Sequence, residues 1–145
     1  MHTVNKKASF NYQLEPERIE AGISLTGAEA KAVRENRVNL SEAVARIINQ
    51  EAFLINANIS AVGTTGYIPS RSRKLLLHKS EITSIASKLK QQKLTLVPTK
   101  LYTKGHLVKC QLALGKLKRK FEKREVIKKK VITRELEQEL KQSKN

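Results

Sequence analysis

The alternation of apolar and polar residues predicts a chain built mainly of β-strands. Apolar side chains recur at every second position over residues 10–14, 21–25, 53–59 and 108–114, and the last of these runs is the most regular. Successive side chains of a strand point to opposite faces, so a period of two is typical of a strand with one buried face. The pattern therefore predicts strands at several well-separated places along the chain.

Two stretches have the spacing of amphipathic helices. Thr26 or Gly27 can cap a helix that runs to about residue 36, with Glu29 among its exposed residues. Ser80 can cap a second helix over residues 81–91, whose apolar residues recur at helical intervals. Pro16 also predicts a helical turn at residues 15–18, because proline suits the first position of a helix.

Turn-forming residues separate these elements. Asn49-Gln50 predicts a β-hairpin, Lys104-Gly105 joins the last two strands, and glycine and proline interrupt residues 61–73, which predicts a loop. Together, these patterns indicate about six antiparallel strands and two or three short helices. This combination favours a closed or nearly closed barrel.

The chain is basic both in residues 1–114 and in residues 115–145. Its 145 residues carry a net charge of +16, and the isoelectric point is about 10.2. Residues 115–145 hold twelve basic and five acidic side chains, a net charge of +7, which leaves +9 on residues 1–114. Such a balance predicts nucleic acid as the partner. A basic membrane-surface protein is the main alternative, but aromatic residues make up only 4% of the chain and no apolar run is long enough to span a bilayer.

No pattern in the sequence indicates an enzyme. The chain has no Asp, its three histidines are scattered, and neither a phosphate-binding glycine loop nor a nucleophile motif is present. We therefore expect no catalytic residue, no metal site and no cofactor. A single cysteine, Cys110, excludes an internal disulfide, and the first residues do not resemble a signal peptide, so we expect a cytoplasmic protein.

The basic segment at residues 116–130 contains nine Lys or Arg, two Glu and four apolar residues. Its composition favours a helix, on which Leu117 and Phe121 would share one face. Basic side chains would surround that helix on nearly all sides, so docking it on a protein core would desolvate ammonium groups. We expect residues 115–145 to form a tail that is disordered when free and helical when nucleic acid surrounds it. A solvated tail that only aids solubility is the alternative.

Residues 71–77 change abruptly from basic to apolar. Arg71, Arg73 and Lys74 place three cations within four residues, directly before a run of leucines. Arginine is suited to bidentate phosphate contacts, and the leucines would anchor the segment to the body of the protein. The same pattern also fits a surface loop that enters a buried strand.

Nine short segments, distributed over nearly the whole chain, match the motifs of one known family. They are residues 5–8 (NKKA), 20–31 (EAGISLTGAEAK), 39–40 (NL), 51–54 (EAFL), 59–60 (IS), 71–77 (RSRKLLL), 94–98 (LTLVP), 101–102 (LY) and 122–125 (EKRE). In this order and combination they resemble the small protein B (SmpB) family, the SsrA-binding proteins that partner transfer-messenger RNA.

The resemblance implies a six-stranded antiparallel, oligonucleotide-binding-like barrel over residues 1–114, with a ribosome-binding tail over residues 115–145. The barrel would bind the transfer-RNA-like end of transfer-messenger RNA at its D-loop and elbow. Some candidates match the family's RNA-binding positions, and others are basic or adjacent residues of the matching segments. The candidate RNA-binding residues are Asn5, Lys6, Glu20, Lys31, Arg71, Arg73, Lys74, Leu76 and His78.

Two of these candidates are unusual ligands for RNA. A carboxylate repels phosphates, but it can accept hydrogen bonds from base amino or imino groups, so Glu20 would contact loop bases or hold a neighbouring Lys. Leu76 would pack against an unstacked base.

The resemblance further implies that the tail enters the vacant messenger channel of the small ribosomal subunit and occupies the decoding centre. Phe121 would stack on a base there or, alternatively, pack beside Leu117. The family usually has Gly where this chain has Leu117, so Gly115 is expected to supply the bend before the tail. The candidate ribosome-binding residues are Lys118, Arg119, Lys120, Phe121, Glu122, Lys123, Arg124, Lys128, Lys129 and Lys130.

The implied partners are transfer-messenger RNA, the ribosome with its 16S rRNA and, through the charged RNA, elongation factor Tu. We expect a monomer that delivers the RNA to stalled ribosomes for peptide tagging. A ribosomal protein or a translation initiation factor with a similar barrel is the alternative, but it would not explain the combination of residues 5–6 and 71–77.

Overall fold

A computed structural model describes residues 2–63 and 65–119, and the tail residues beyond 119 lie outside it. Within these residues the chain forms nine strands and three helices. They are β1 (His2–Val4), α1 (Lys6–Asn11), β2 (Tyr12–Ile23), α2 (Gly27–Arg34), β3 (Val38–Asn39), β4 (Val44–Ile48), β5 (Glu51–Ile55), β6 (Asn58–Ile59), β7 (Arg73–Leu76), α3 (Lys79–Gln92), β8 (Thr95–Lys104) and β9 (Leu107–Leu117).

Six of the strands close into a ring of antiparallel pairs. The order is β8-β4-β5-β7-β2-β9, and β9 pairs again with β8 to complete the circle. β1 extends one edge of β8, while β3 and β6 form a separate pair. The six-stranded barrel with flanking helices that we predicted is thereby confirmed, and so is the β4–β5 hairpin, whose turn residues Asn49 and Gln50 both have positive φ.

Strand β9 pairs along both of its edges, with β2 on one side and β8 on the other. Each pairing contains one irregularity, between Leu14 and Arg18 on β2 and between Pro98 and Lys100 on β8. Pro16 lies at the first of these bulges, so the predicted helical turn at residues 15–18 is wrong. A bulge tolerates proline because the residue there need not donate to the ladder.

The N-terminal segment also differs from the prediction. Residue 10 belongs to α1, and the strand begins only at Tyr12. Asn5 precedes α1, donating its backbone N–H to the Thr99 carbonyl at 2.7 Å, and the helix buries Ala8 against the barrel. A helix of six residues is too short to give a clear period of 3.6, so the local alternation indicated a strand instead.

The cap of helix α3 lies two residues earlier than the predicted cap at Ser80. His78 occupies the cap position, and its backbone N–H donates to Glu81 Oε1 at 3.2 Å. Glu81 therefore takes the position three residues after the cap, where a carboxylate commonly closes a capping box. Ile85 is the residue of α3 that is buried in the core.

Glu29 lies in a buried ion cluster, although the helical pattern predicted that it is exposed. Its carboxylate accepts hydrogen bonds from Arg73 Nε at 2.9 Å and from Arg71 Nε at 3.1 Å, and the side chains of Glu29 and Arg73 have no exposed surface. Arg73 also donates to the carbonyls of Ala57 at 2.6 Å and Pro69 at 2.8 Å. Because these partners are distant in sequence, the periodicity of α2 could not reveal them.

The ion cluster makes the carboxyl of Glu29 strongly acidic. Burial alone would raise its pKa, but hydrogen bonds from Arg71, Thr26, Arg73 and Tyr67 outweigh burial and lower the pKa from 4.5 to about 2. A carboxyl group whose pKa falls on folding stabilises the folded state above its unfolded pKa. That contribution is therefore complete above pH 4.5 and is lost as the pH falls toward about 2.

Replacing Glu29 with Gln should strongly destabilise the fold at neutral pH. The substitution leaves two guanidinium groups without a counter-charge, one of them fully buried, and breaking a buried pair in this way costs about 3–5 kcal/mol. Urea unfolding at pH 7 measures the loss. Repeated at lower pH, it should show the difference from the natural protein shrinking as the pH falls below 4.5.

The matched control is Glu35→Gln, which removes the same charge from an exposed ion pair with Arg37. An exposed pair is worth about 0–1 kcal/mol. Equal losses in the free energy of unfolding of Glu29→Gln and Glu35→Gln would contradict a buried ion cluster around Glu29.

Gly115→Ala should destabilise the pairing of β2 with β9. A Cβ at this position would lie 2.9 Å from Leu14 Cδ2 and 3.0 Å from Tyr12 Cβ, so the strands would have to shift, at a cost of about 1–3 kcal/mol. Gly27→Ala is the control, because a Cβ there meets nothing within 4 Å. Thermal unfolding of both variants checks this, and an unchanged midpoint for Gly115→Ala would contradict the close approach.

Candidate nucleic-acid interface

The outer face of strands β7, β2, β9 and β8 carries a mixed set of charged and apolar side chains in two rows. Residues directly opposite on antiparallel strands project from the same face of the sheet. The first row contains Leu76, Gly22, Lys109 and Tyr102, and the second contains Glu20, Gln111 and Lys100. Inward-facing neighbours such as Cys110 are buried in the core. The register of the barrel thus brings residues from four strands onto one surface.

Glu20 is the acidic centre of this surface. The Tyr102 hydroxyl donates to Glu20 Oε2, and Lys104 Nζ lies 3.6 Å from Glu20 Oε1. The hydrogen bond from Tyr102 is the main cause that lowers the pKa of the Glu20 carboxyl; desolvation opposes it, and the charges of Lys104 and Lys109 lower the pKa further. Partial burial and the same hydrogen bond raise the pKa of Tyr102 to about 12. At neutral pH Glu20 is therefore an anion and Tyr102 is a hydrogen-bond donor.

A groove of about 680 Å³ runs from this surface to the start of α3. Four of the predicted RNA-binding residues line it: Glu20, Lys74, Leu76 and His78. Leu76 is 54% exposed, which leaves an apolar surface available to a ligand. Gly22 lies beside it, and a Cβ at Gly22 would come within 3.2 Å of Leu76 Cβ. The groove thus combines three carboxylates, three lysines and an exposed apolar side chain.

Lys109 lines the same groove, and our sequence analysis did not identify it. It is the residue of β9 opposite both Gly22 and Tyr102. The regular alternation over residues 108–114 was the available signal, because it places residue 109 on the outer face whenever residues 108 and 110 are buried. The cross-strand register that brings Lys109 to Glu20 is not visible in the sequence.

Asn5 and Lys6 lie apart from the residues that line the groove. Asn5 is only 8% exposed, and its side-chain amide donates to the Pro98 carbonyl at 2.9 Å. Lys6 is exposed on α1, and Lys31 is exposed on α2. In the structure Asn5 anchors α1 to β8, so any contact of Asn5 with RNA would be limited to its small exposed fraction.

The structure corrects the assignment of Arg73 as an RNA ligand. Arg73 is fully buried against Glu29, and no phosphate can reach it while the barrel is folded. Arg71 binds the same carboxylate but keeps 36% of its side chain exposed. Of the three cations in this segment, Lys74 is the one that lines the groove, with its Nζ 3.5 Å from Glu51 Oε1.

The start of the tail is attached to the barrel. Leu117 is the last residue of β9 and pairs with Tyr12 of β2, so the structure places it in a strand rather than in the predicted helix. Lys118 follows, donating its backbone N–H to the Asn11 carbonyl at 2.8 Å and its Nζ to the Ser9 carbonyl at 2.8 Å. Gly115 lies inside β9 and does not supply the expected bend. Arg119 is exposed, and the other tail candidates lie beyond the described residues. The division of the chain at residue 114 stays a prediction.

The part of the chain that the structure describes has neither a metal-binding cluster nor a reactive thiol. Over residues 2–63 and 65–119, no group of three His, Cys, Asp or Glu side chains could hold a metal ion. Burial raises the pKa of the Cys110 thiol to about 12, so it is not a reactive thiolate. Among the described residues, no helix has the length and apolar composition that a membrane span requires.

Similarity to known proteins extends over nearly the whole chain. The family model described as SmpB protein matches residues 2–142. The SsrA-binding protein of Mesoplasma florum is 47% identical over 90% of this chain and 90% of its own length. The SsrA-binding protein of Dehalococcoides mccartyi is 45% identical over 96% of this chain and 82% of its own. A chain of the solved structure "tmRNA-SmpB: a journey to the center of the bacterial ribosome" has a TM-score of 0.68 and 35% identity, covering 87% of this chain and 94% of that one. The protein therefore belongs to the SmpB family.

Proposed function

We propose that this protein binds transfer-messenger RNA and delivers it to stalled ribosomes for trans-translation. The curated relatives carry the name SsrA-binding protein, and the matched solved structure concerns tmRNA-SmpB and the bacterial ribosome. The observation that carries the proposal is the convergence of Glu20, Leu76 and Lys109 in one groove. Phosphate attraction alone would not require a carboxylate or an exposed leucine in the groove.

Each side chain in the groove suits a different part of a folded RNA. Lys74 and Lys109 attract phosphates, which supply affinity without regard to sequence. The Glu20 carboxylate accepts hydrogen bonds from base amino or imino groups, which cations cannot do. Leu76 packs against a base that has left its stack, as single-stranded loops allow. The groove would therefore bind a loop, in keeping with the D-loop and elbow of the transfer-RNA-like end.

The tail supplies a second contact, to the ribosome. We propose that it enters the empty mRNA channel as a helix, with Phe121 stacked on a decoding-centre base and the basic residues from Lys118 to Lys130 facing 16S rRNA. The net charge of +7 on residues 115–145 supports this assignment. The hydrogen bonds of Lys118 to the Ser9 and Asn11 carbonyls would set the point from which the tail leaves the barrel.

We further propose where the protein acts and which other partner joins it. The protein would act in the cytoplasm as a monomer without catalytic activity of its own. Elongation factor Tu would join the complex through the charged RNA. Gel filtration of the complex with and without elongation factor Tu tests this composition.

Glu20→Arg should weaken the binding of transfer-messenger RNA although it raises the net charge of the protein by two. Electrostatic attraction to phosphate would predict tighter binding, whereas the loss of a hydrogen-bonded base contact predicts a loss of about 1–3 kcal/mol, or 5- to 150-fold in affinity. Filter binding at fixed salt concentration measures the dissociation constant.

The control for this charge change is Glu15→Arg, an exposed position of the same strand that does not line the groove. It should leave the affinity unchanged or raise it. Binding of Glu20→Arg as tight as that of the control would remove Glu20 from the interface.

Replacing Lys129 and Lys130 with Ala should impair peptide tagging on stalled ribosomes but leave the affinity for transfer-messenger RNA nearly unchanged. Two phosphate contacts are each worth on the order of 1 kcal/mol, so tagging should fall about 30-fold in a reconstituted translation system at subsaturating protein. The control is the pair Lys88→Ala and Lys90→Ala, which removes the same charge from α3. Equal loss of tagging in both pairs would show that overall charge, and not the tail, is responsible.

A further inference from the structure

We infer that Tyr102 is a positioning residue for RNA recognition, whose hydroxyl holds the Glu20 carboxylate over strand β9 where it can accept hydrogen bonds from a base. This inference rests on the proposed function of the groove. Tyr102 itself is not among the residues that line the groove, so its effect would be exerted through Glu20.

The two side chains meet across an intervening strand. Tyr102 belongs to β8 and Glu20 to β2, and β9 lies between them, so their backbones are about 10 Å apart. They also occupy different rows, because Tyr102 is opposite Lys109 and Glu20 is opposite Gln111. Only long side chains can close such a gap, and the Tyr102 hydroxyl does so by donating to Glu20 Oε2. The hydrogen bond therefore fixes the carboxylate above β9, on the side that faces Lys109.

Tyr102 is well suited to act as the fixed partner of this pair. Its ring has two rotatable bonds, and Lys100 Nζ lies 5.1 Å from the ring centroid, a distance typical of a cation–π contact. The flanking residue Leu101 is fully buried and anchors the strand at this point. The Glu20 side chain, in contrast, is 43% exposed and has one more rotatable bond. The rigid partner thus constrains the flexible one.

Without Tyr102 the carboxylate would have other partners. Lys104 Nζ is 3.6 Å from Glu20 Oε1, and the charge of Lys109 also acts on Glu20. Both are flexible cations that can turn Glu20 into an ordinary surface ion pair. A carboxylate offers about four acceptor positions, and one hydrogen bond from Tyr102 leaves most of them available for a base. Tyr102 therefore orients Glu20 without using up its capacity to accept.

The charged and titratable groups around Glu20 come from every neighbouring element. They are Lys100, Tyr102 and Lys104 of β8, Lys109 of β9, Lys74 of β7, Glu51 of β5, and His78, Lys79 and Glu81 at the start of α3. A variant that changes only the Tyr102 hydroxyl keeps all the other groups. A change in the pH dependence of RNA binding can then be assigned to Glu20.

The test is Tyr102→Phe in the full-length protein, with the affinity for transfer-messenger RNA measured from pH 7 down to the acid limit of folding. Loss of one hydrogen bond that orients a base contact should weaken binding about 3- to 10-fold at pH 7. Because the Tyr102 hydroxyl holds the pKa of the Glu20 carboxyl below its usual value, its removal should raise that pKa. The carboxylate then becomes protonated at higher pH, and the fall of affinity on the acid side should move to higher pH.

Two further variants make the test specific. Tyr12→Phe removes a hydroxyl elsewhere on β2 and should change neither the affinity nor its pH dependence. In a Glu20→Ala background, Tyr102→Phe should have little further effect, because the acceptor group that it positions is absent. Thermal unfolding of each variant confirms that the barrel is intact.

The outcomes separate this inference from the proposed function. If Glu20→Ala weakens binding while Tyr102→Phe changes neither the affinity nor its fall at acid pH, the positioning role of Tyr102 is wrong and the groove assignment survives. If Tyr102→Phe and Glu20→Ala weaken binding independently, with multiplying effects, Tyr102 does not act through Glu20. If Glu20→Ala does not weaken binding at all, the proposed function of the groove fails and this inference fails with it.

Discussion

The pairing of strand β9 along both of its edges is the constraint on which the rest of the molecule depends. β2 and β8 are far apart in the sequence, and β9 lies between them and pairs with both. The same pairing closes the barrel, buries Cys110 and Leu112 in the core, and leaves Lys109 and Gln111 on the outside. Glu20 and Tyr102 come within reach of each other because both of their strands pair with β9. The fold and the candidate interface therefore arise from one set of backbone hydrogen bonds.

The buried ion cluster contributes to the interface indirectly. Arg73 faces inward toward Glu29. Because side chains of a strand alternate between its two faces, residues 73 and 75 of β7 face inward and residues 74 and 76 face outward. Lys74 and Leu76 are the outward pair, and both line the groove. A slip of one residue would bury Lys74 and remove Leu76 from the surface. The requirement of Arg73 for its carboxylate thus specifies the register that exposes the groove residues.

Much of the architecture could be predicted from the sequence, for reasons that are local. The alternation over residues 108–114 is set by burial of one face, and the Asn49-Gln50 hairpin is set by residues that tolerate positive φ. The Pro16 turn and the strand around residue 10 were predicted wrongly, because a bulge and a six-residue helix both depend on tertiary partners. Local signals were sufficient where the structure itself is determined locally.

The interface was predictable only in part, for the same reason. Family motifs placed Glu20, Lys74, Leu76 and His78 among the candidates, and the structure brings these four together. The charge of Arg73 suggested a phosphate ligand, but its partner Glu29 is 44 residues away and turns it into a core residue. Lys109 and Tyr102 were not identified, since their proximity to Glu20 follows from cross-strand register. Charge alone does not distinguish a ligand from a buried ion pair.

The central claim is that the barrel recognises features of one folded RNA and does not merely attract phosphates. The most direct measurement compares the affinity of the full-length protein for transfer-messenger RNA and for a bulk transfer-RNA pool over a series of salt concentrations. Both affinities should fall as salt rises, because phosphate contacts release counterions, but the preference for transfer-messenger RNA should persist at every concentration. Equal affinities for the two RNAs throughout the series would contradict the account.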